Sequence, residues 1–421
     1  MKLAFHPKLL DCLSTYDRAQ FGKDLAAGLT VGVLALPLAM AFAIASGCSP
    51  TAGIWTAIVA GFITSALGGS RVQIGGPTGA FIPIVYGIVA AHGFANLLGA
   101  TVLAGVFLLA MGLARLGQLI RFIPVTVVIG FTNGIAVVIF LAQLKDFFGL
   151  KIDNLPAEFF HRLKTLAANA DTVNLPTLAL AIASFLFLLF YNRLAQRFAL
   201  LRRAPGPLAV LVVGTLAAFL FDLPVETIGS RFNGIPQQLP AIGLPELSIH
   251  DFGKLISPAI TIALLGAIES LLSARVADSQ IDDRHDPNQE LIAQGLSNIV
   301  APLFGGFAAT GAIARTTTNV RTGGRTPVAG MIHAAVLLAV VFVAAPMAAY
   351  VPLATLSAIV MVVAINMGEW HEFRELRRYS MNYRIILLAT FFLTVVFDLT
   401  VAVELGMVLA CLFFIYRMSE L

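Results

Sequence analysis

The amino-acid sequence predicts an all-α polytopic membrane protein, on three observations. Of its 421 residues 58% are hydrophobic and only 12% are charged, where a soluble domain carries about 25% charged residues. Apolar runs of 15 to 25 residues recur from about residue 25 to residue 417. Those runs lack the period-2 alternation of a barrel strand, so each reads as a membrane helix. In such a protein the formal charge of +4 marks cytoplasmic loops rather than nucleic-acid binding. Cys12, Cys48 and Cys411 lie far apart with no CxxC pair, which speaks against a disulfide framework or a zinc site. Neither HExxH nor GxSxG occurs, so no catalytic residue, resident metal or cofactor is expected.

After a cytoplasmic segment, 1–24, the expected spans are 25–47, 52–68, 77–91, 95–115, 123–143, 174–191, 206–222, 256–277, 288–304, 311–322, 327–348, 353–366, 383–398 and 400–417. In the first, Pro37 frees a carbonyl, and Phe42, about one and a half turns on, can wall a cavity. The third and tenth are short and begin directly after Gly-rich stretches. Asp398 and Glu404, at the ends of the last two, read as interfacial. Fourteen crossings put both termini on one side. With that side cytoplasmic, 19 of the 27 Lys and Arg fall inside and six fall in two long outer loops, leaving Arg71 and Arg315 near membrane depth.

An internal repeat supports the count. "GFITSALGGSRVQIGGPTGAF", 61–81, slides onto "GLSNIVAPLFGGFAATGAIAR", 295–315: in both a helix runs into a Gly-rich break and then an apolar half-helix. Repeats with an odd number of crossings are inverted relative to each other, the arrangement of secondary transporters with discontinuous helices.

Unwound backbone is tolerated in a bilayer only where it lines a cavity or is buried in protein. "GGPTGAF" and "AATGAIAR" are therefore expected to start half-helices near the midplane, each N-terminus offering free N–H groups and roughly half a positive charge. Pro77 suits a helix start, Thr78 can donate a hydroxyl, and Gly79, Gly311 and Ala312 let a ligand approach the backbone. Arg315 adds a permanent cation able to clamp an anion in bidentate fashion; the alternative is that it pairs with Glu269. Glu269 lies in the apolar run "LLGAIESLLSARVAD", where a charged carboxylate costs about 2.5–3.5 kcal/mol on insertion scales. It is expected to be neutralised by a proton, a cation or Arg315, and Ser273, at i+4, shares its helix face as a small-ion or proton site requires.

These stretches resemble the SulP anion permeases, the bacterial relatives of sulfate permeases, pendrin and prestin. "GLTVGVLALPLAMAFAIASGCSPTAGIW" is similar to the family's first-helix signature, and "GPTGAF" and "GAIESLLSARVAD" to its third- and eighth-helix motifs. "TGAIARTTTNVRTGGRTPVAG" is similar to the tenth-helix pattern GSFSRTxxNxxxGxRTPLAG. The resemblance implies a seven-plus-seven inverted repeat shared with uracil permeases. A substrate-holding core would comprise 25–122 and 256–350, and a gate that also forms homodimers would comprise 123–255 and 351–421. It further implies substrate contacts at Phe42, Thr78, Gly79, Ala80, Phe81, Ile313, Ala314 and Arg315, and a coupling-ion position at Glu269 and Ser273. Leu38 and Ala314 replace the Gln and Ser frequent in the family, which weakens the case for sulfate. Family members continue into a cytoplasmic STAS domain, whereas these residues end at "RMSEL", just past the fourteenth span. Glu269 stands where sodium-coupled relatives resemble an Asp, which favours H+ over Na+ as the co-transported ion. The expectation is proton-coupled symport of a small dicarboxylate, fumarate or succinate, across the cell inner membrane. The alternatives are an uncoupled or sodium-coupled sulfate, bicarbonate or chloride carrier, and a nucleobase–cation symporter.

Overall fold

The structure is a computed structural model that describes residues 5–118, 125–197, 205–243 and 252–397. The expected fourteenth span, with Asp398, Glu404 and Cys411, lies outside the described residues. In chain order the helices are α1 (Lys8–Leu13), α2 (Arg18–Ala45), α3 (Pro50–Leu67), α4 (Ile82–Leu113), α5 (Val125–Phe148), α6 (Phe159–Ala168), α7 (Leu175–Leu189), α8 (Tyr191–Arg197) and α9 (Gly206–Leu220). They continue as α10 (Ile228–Phe232), α11 (Phe252–Ile281), α12 (Pro287–Val300), α13 (Ile313–Arg321), α14 (Val328–Ala348), α15 (Leu353–Met367), α16 (Trp370–Arg374) and α17 (Met381–Val396). Two short strands, β1 (Gly75–Gly76) and β2 (Thr310–Gly311), complete the fold.

Six described helices are long and apolar enough to cross a membrane, among them α2, α5 and α14, and four shorter apolar helices accompany them. Val343 is 80% exposed and Leu220 72%, as lipid-facing side chains must be. Caps move several boundaries from their expected places. Asp17 accepts the Gln20 N–H at 2.7 Å, so α2 begins seven residues before the expected start at residue 25. Asn174 opens α7 and Asp286 opens α12 in the same way, the latter with Pro287 in the first turn. The expected third and fourth spans form one continuous run broken at Gly93, whose φ of 82° favours glycine.

The membrane helices pack in two groups. In the first, α4 runs along α12 and α11, while α14 lies against α2 and α3. In the second, α5 runs along α15 and α17, and α7 lies against α15 and α9. The α2–α15 contact joins the two. Glycine permits the tightest approach: a Cβ on Gly105 of α4 would stand 2.7 Å from the Gly295 carbonyl oxygen, and one on Gly295 of α12 would stand 2.8 Å from the Gly105 oxygen. One expectation is corrected at the end bearing the N-terminus. Arg71 is not at membrane depth: its side chain is 42% exposed and its Nε stands 3.0 Å from Oδ2 of Asp283, in the α11–α12 connection, with Lys8 beside the same carboxylate. There a carboxylate counter-ion accompanies the guanidinium.

Candidate functional site: the half-helix junction

The two Gly-rich stretches meet. Gly75 pairs with Gly311 and Gly76 with Thr310 in an antiparallel ladder. The chain leaves its opposite ends, on one side through the short turn Gly79–Phe81 into α4 and on the other into α13. Small residues are required because the neighbours are close: a Cβ on Gly75 would collide with the Thr64 side chain, and one on Gly76, whose φ is 143°, with the Arg315 guanidinium. The Ala312 N–H donates to the Ile74 carbonyl at 2.9 Å, and the Ile74 N–H donates to Thr316 Oγ1 at 3.0 Å. These bonds satisfy backbone that lipid could not.

Helical hydrogen bonding resumes with the Phe81 N–H on the Thr78 carbonyl at 3.2 Å, and with the Thr316 N–H on the Ala312 carbonyl at 2.8 Å. The N–H groups of Gly79 and Ala80, and of Ile313, Ala314 and Arg315, therefore precede any intrahelical acceptor. Each end carries the partial positive charge of a helix N-terminus. Two side-chain donors join them: Thr78 Oγ1 and Arg315 Nη1 are buried without a hydrogen-bond partner. Unpaired buried donors are costly, and a set of them around two helix ends is the chemistry that receives an anion.

The expected site residues divide. Thr78, Gly79, Ala80, Phe81, Ile313, Ala314 and Arg315 are brought to the junction by β1 and β2. A methyl on Gly79 would stand 3.7 Å from Met367 Sδ, so this turn faces α15 of the second packing group. Ile313 and Ala314 are exposed, while Phe42 and Phe81, 5% and 1% exposed, belong to one apolar cluster. Gly311 is small for another reason than ligand approach: its Cα faces the Gln73 amide and Ser270, where a side chain would clash. The Ala312 N–H, engaged by Ile74, is not free for a ligand either.

Arg315 and Glu269 do not pair. Arg315 is 1% exposed and donates from Nη2 to the Pro77 carbonyl, so one edge of its fork is engaged and the expected bidentate clamp is reduced to Nη1. Glu269, half-buried on α11, has no charged neighbour among the described residues. Ser273 turns to Thr316, its hydroxyl donating at 3.3 Å, rather than to Glu269 as the i+4 spacing suggested.

A second carboxylate escaped the sequence reading. Glu290 on α12 is fully buried; its Oε1 accepts from Gln73 Nε2 at 3.0 Å, Ser270 Oγ at 3.2 Å and Gln294 Nε2 at 3.2 Å, and its Oε2 accepts the Gly69 N–H at 3.0 Å. Gln73 also donates to the Ser270 carbonyl at 3.0 Å. The network thus ties the residue next to Glu269 to the residue two before β1. The signal that could have found it is the one that found Glu269, an ionisable residue inside an expected span. His333, fully buried on α14 with both ring nitrogens unpartnered, was legible in the same way.

Paired half-helices with unengaged donors, held inside a multi-pass helical bundle, define a membrane carrier of anions rather than an enzyme. The chain belongs to the sulfate permease family, whose model matches residues 21–390. It is 46% identical over 406 residues to YvdB of Bacillus subtilis (strain 168), whose name makes it a candidate sulfate transporter; the match covers 96% of this chain and 76% of that one. It is 33% identical to the bicarbonate transporter BicA of Picosynechococcus, covering 94% and 71%. Among solved structures, the transmembrane domain of a cyanobacterial BicA superposes with a TM-score of 0.84 at 34% identity, covering 92% of this chain and 98% of that one. Murine Solute Carrier 26 family member A9, an anion transporter in the inward-facing state, shares the fold with a TM-score of 0.87 at 21% identity, covering 98% and 71%.

Proposed function

We propose that the chain carries a compact inorganic oxyanion of the sulfate or bicarbonate class, coupled to protons through Glu269. The observation that carries this reading is the pair of unengaged donors, Thr78 Oγ1 and Arg315 Nη1, set between two helix N-termini. A dicarboxylate needs two separated anchors. Arg315 is the one cation at the junction among the described residues, and Pro77 engages one of its edges. This favours sulfate and bicarbonate over the fumarate or succinate expected from sequence, and the names of the relatives support the same order.

In this reading the first packing group is the core, 25–122 and 256–350, and the second is the gate, 123–255 and 351–421. The fourteen spans form two inverted halves of seven with both termini cytoplasmic in the cell inner membrane, and the gate supplies a homodimer face. The antiparallel exit of α4 and α13 from the ladder supports the inversion. Uptake into proteoliposomes tests the function, with labelled sulfate, bicarbonate, chloride, fumarate and succinate under imposed pH or sodium gradients. Sulfate or bicarbonate uptake driven by an inward proton gradient is expected, with Arg315→Gln reducing it at least tenfold and Glu269→Gln removing its response to the gradient. Uptake that follows sodium alone, or that prefers fumarate, would replace the reading.

A further inference from the structure

A cavity of about 630 Å³ opens between the two packing groups at the membrane face opposite the N-terminus. One wall is α4, from Pro83 and Ile84, within a turn of Phe81, to Ala91 and His92; the other comes from α5, α6 and the end of α17. It therefore runs from the loops of that face towards the half-helix junction. Arg162 of α6 lines it and is only 4% exposed. Its Nε donates to the Pro156 carbonyl at 2.9 Å, its Nη2 to the Ala157 carbonyl at 3.0 Å and its Nη1 to the Val138 carbonyl at 3.4 Å. The guanidinium carbon also stands 5.6 Å from the centre of the Tyr86 ring.

Three carbonyls and a ring face orient this guanidinium, but they do not neutralise it. No carboxylate among the described residues forms an ion pair with Arg162, and Glu158, which also lines the cavity, is held by His161 at 2.6 Å. A guanidinium has five N–H groups, so donors remain, and a buried charge without a counter-ion is costly. The cavity beside it is large enough for a hydrated oxyanion, and its α4 wall begins two residues past Phe81. Resting on the anion-transport reading, we propose that this cavity is a second, outer anion-binding site at which Arg162 holds the oxyanion before it reaches the junction. An uncompensated cation in a low-dielectric cleft raises the local concentration of the opposite ion, and the effect belongs to one face of the membrane only.

The test compares sulfate and bicarbonate transport kinetics in right-side-out and inside-out membrane vesicles. Arg162→Gln is expected to raise KM about three- to tenfold for entry from the face opposite the N-terminus, and to leave KM from the other face unchanged. Because Arg162 also braces its loop, Ala91→Glu and Ala91→Lys serve as the second pair. They touch none of the arginine's bonds, and are expected to raise and lower KM respectively, on that same face. Changes equal on both faces, or no change with the Ala91 variants, overturn the outer site while wild-type transport stands. Absence of anion transport by the wild type overturns the anion-transport reading, and the outer site with it.

Discussion

Glu290 illustrates what lets a carboxylate stay inside a membrane protein. No Lys or Arg pairs with it among the described residues; instead four N–H or O–H donors point at its two oxygens, and each suits an ionised acceptor. Glu290→Gln keeps the shape but turns one oxygen into an amide that faces other donors. A loss of about 1–3 kcal/mol is expected, the usual cost of unsatisfied buried polar groups. Thermal unfolding in detergent, followed by size-exclusion, should show the lower midpoint; an unchanged profile would mean these donors do not hold a charged group. Several residues of the candidate site were legible at this scale. Thr78, Arg315 and Glu269 stand out because glycine, charge and apolar context conflict locally. What was not legible is partnership: that Gln73 reaches Ser270, 197 residues away, or that Arg315 turns to Pro77 and not to Glu269, depends on how helices pack.

At the scale of elements, apolar runs placed the helices well because lipid imposes a single requirement on each crossing. Ends were less legible, since capping residues such as Asp17 extend a helix into polar sequence. The amphipathic α6, which carries Arg162, lay within a stretch that reads only as a long outer loop. Which glycines mark close packing was not legible either: Gly295 is where α12 meets Gly105 of α4, backbone to backbone. Gly295→Val would force that pair apart, so the variant is expected to lose its monodisperse size-exclusion peak. A stable, correctly sized variant would show that the helices can separate without consequence. Gly87, whose Cβ would meet nothing within 4 Å, provides the control, and Gly87→Ala should be neutral.

Across the whole molecule, the two packing groups touch at the face opposite the N-terminus through Tyr86, whose hydroxyl donates to the Leu155 carbonyl, and through Arg162 over the same ring. If substrate passage requires the groups to move against each other, fastening them here should stop it. Cysteines at Tyr86 and Leu155, in a background with Cys12, Cys48 and Cys411 replaced by Ser, joined by a short bifunctional thiol reagent, are expected to abolish uptake. A reducible reagent should allow recovery. Full transport with complete cross-linking would rule out relative movement at this contact.

The ladder of β1 and β2 also sets a timetable for biogenesis. Gly75 finds its partner only when Gly311 has been made, 236 residues later, which at about 5–20 residues per second takes roughly 12 to 47 seconds. During that interval the unwound backbone ahead of α4 must sit in or near the bilayer without the strand that satisfies it. The first half of the chain is therefore inserted as an unfinished structure, and the proposed anion site cannot form before the second half arrives.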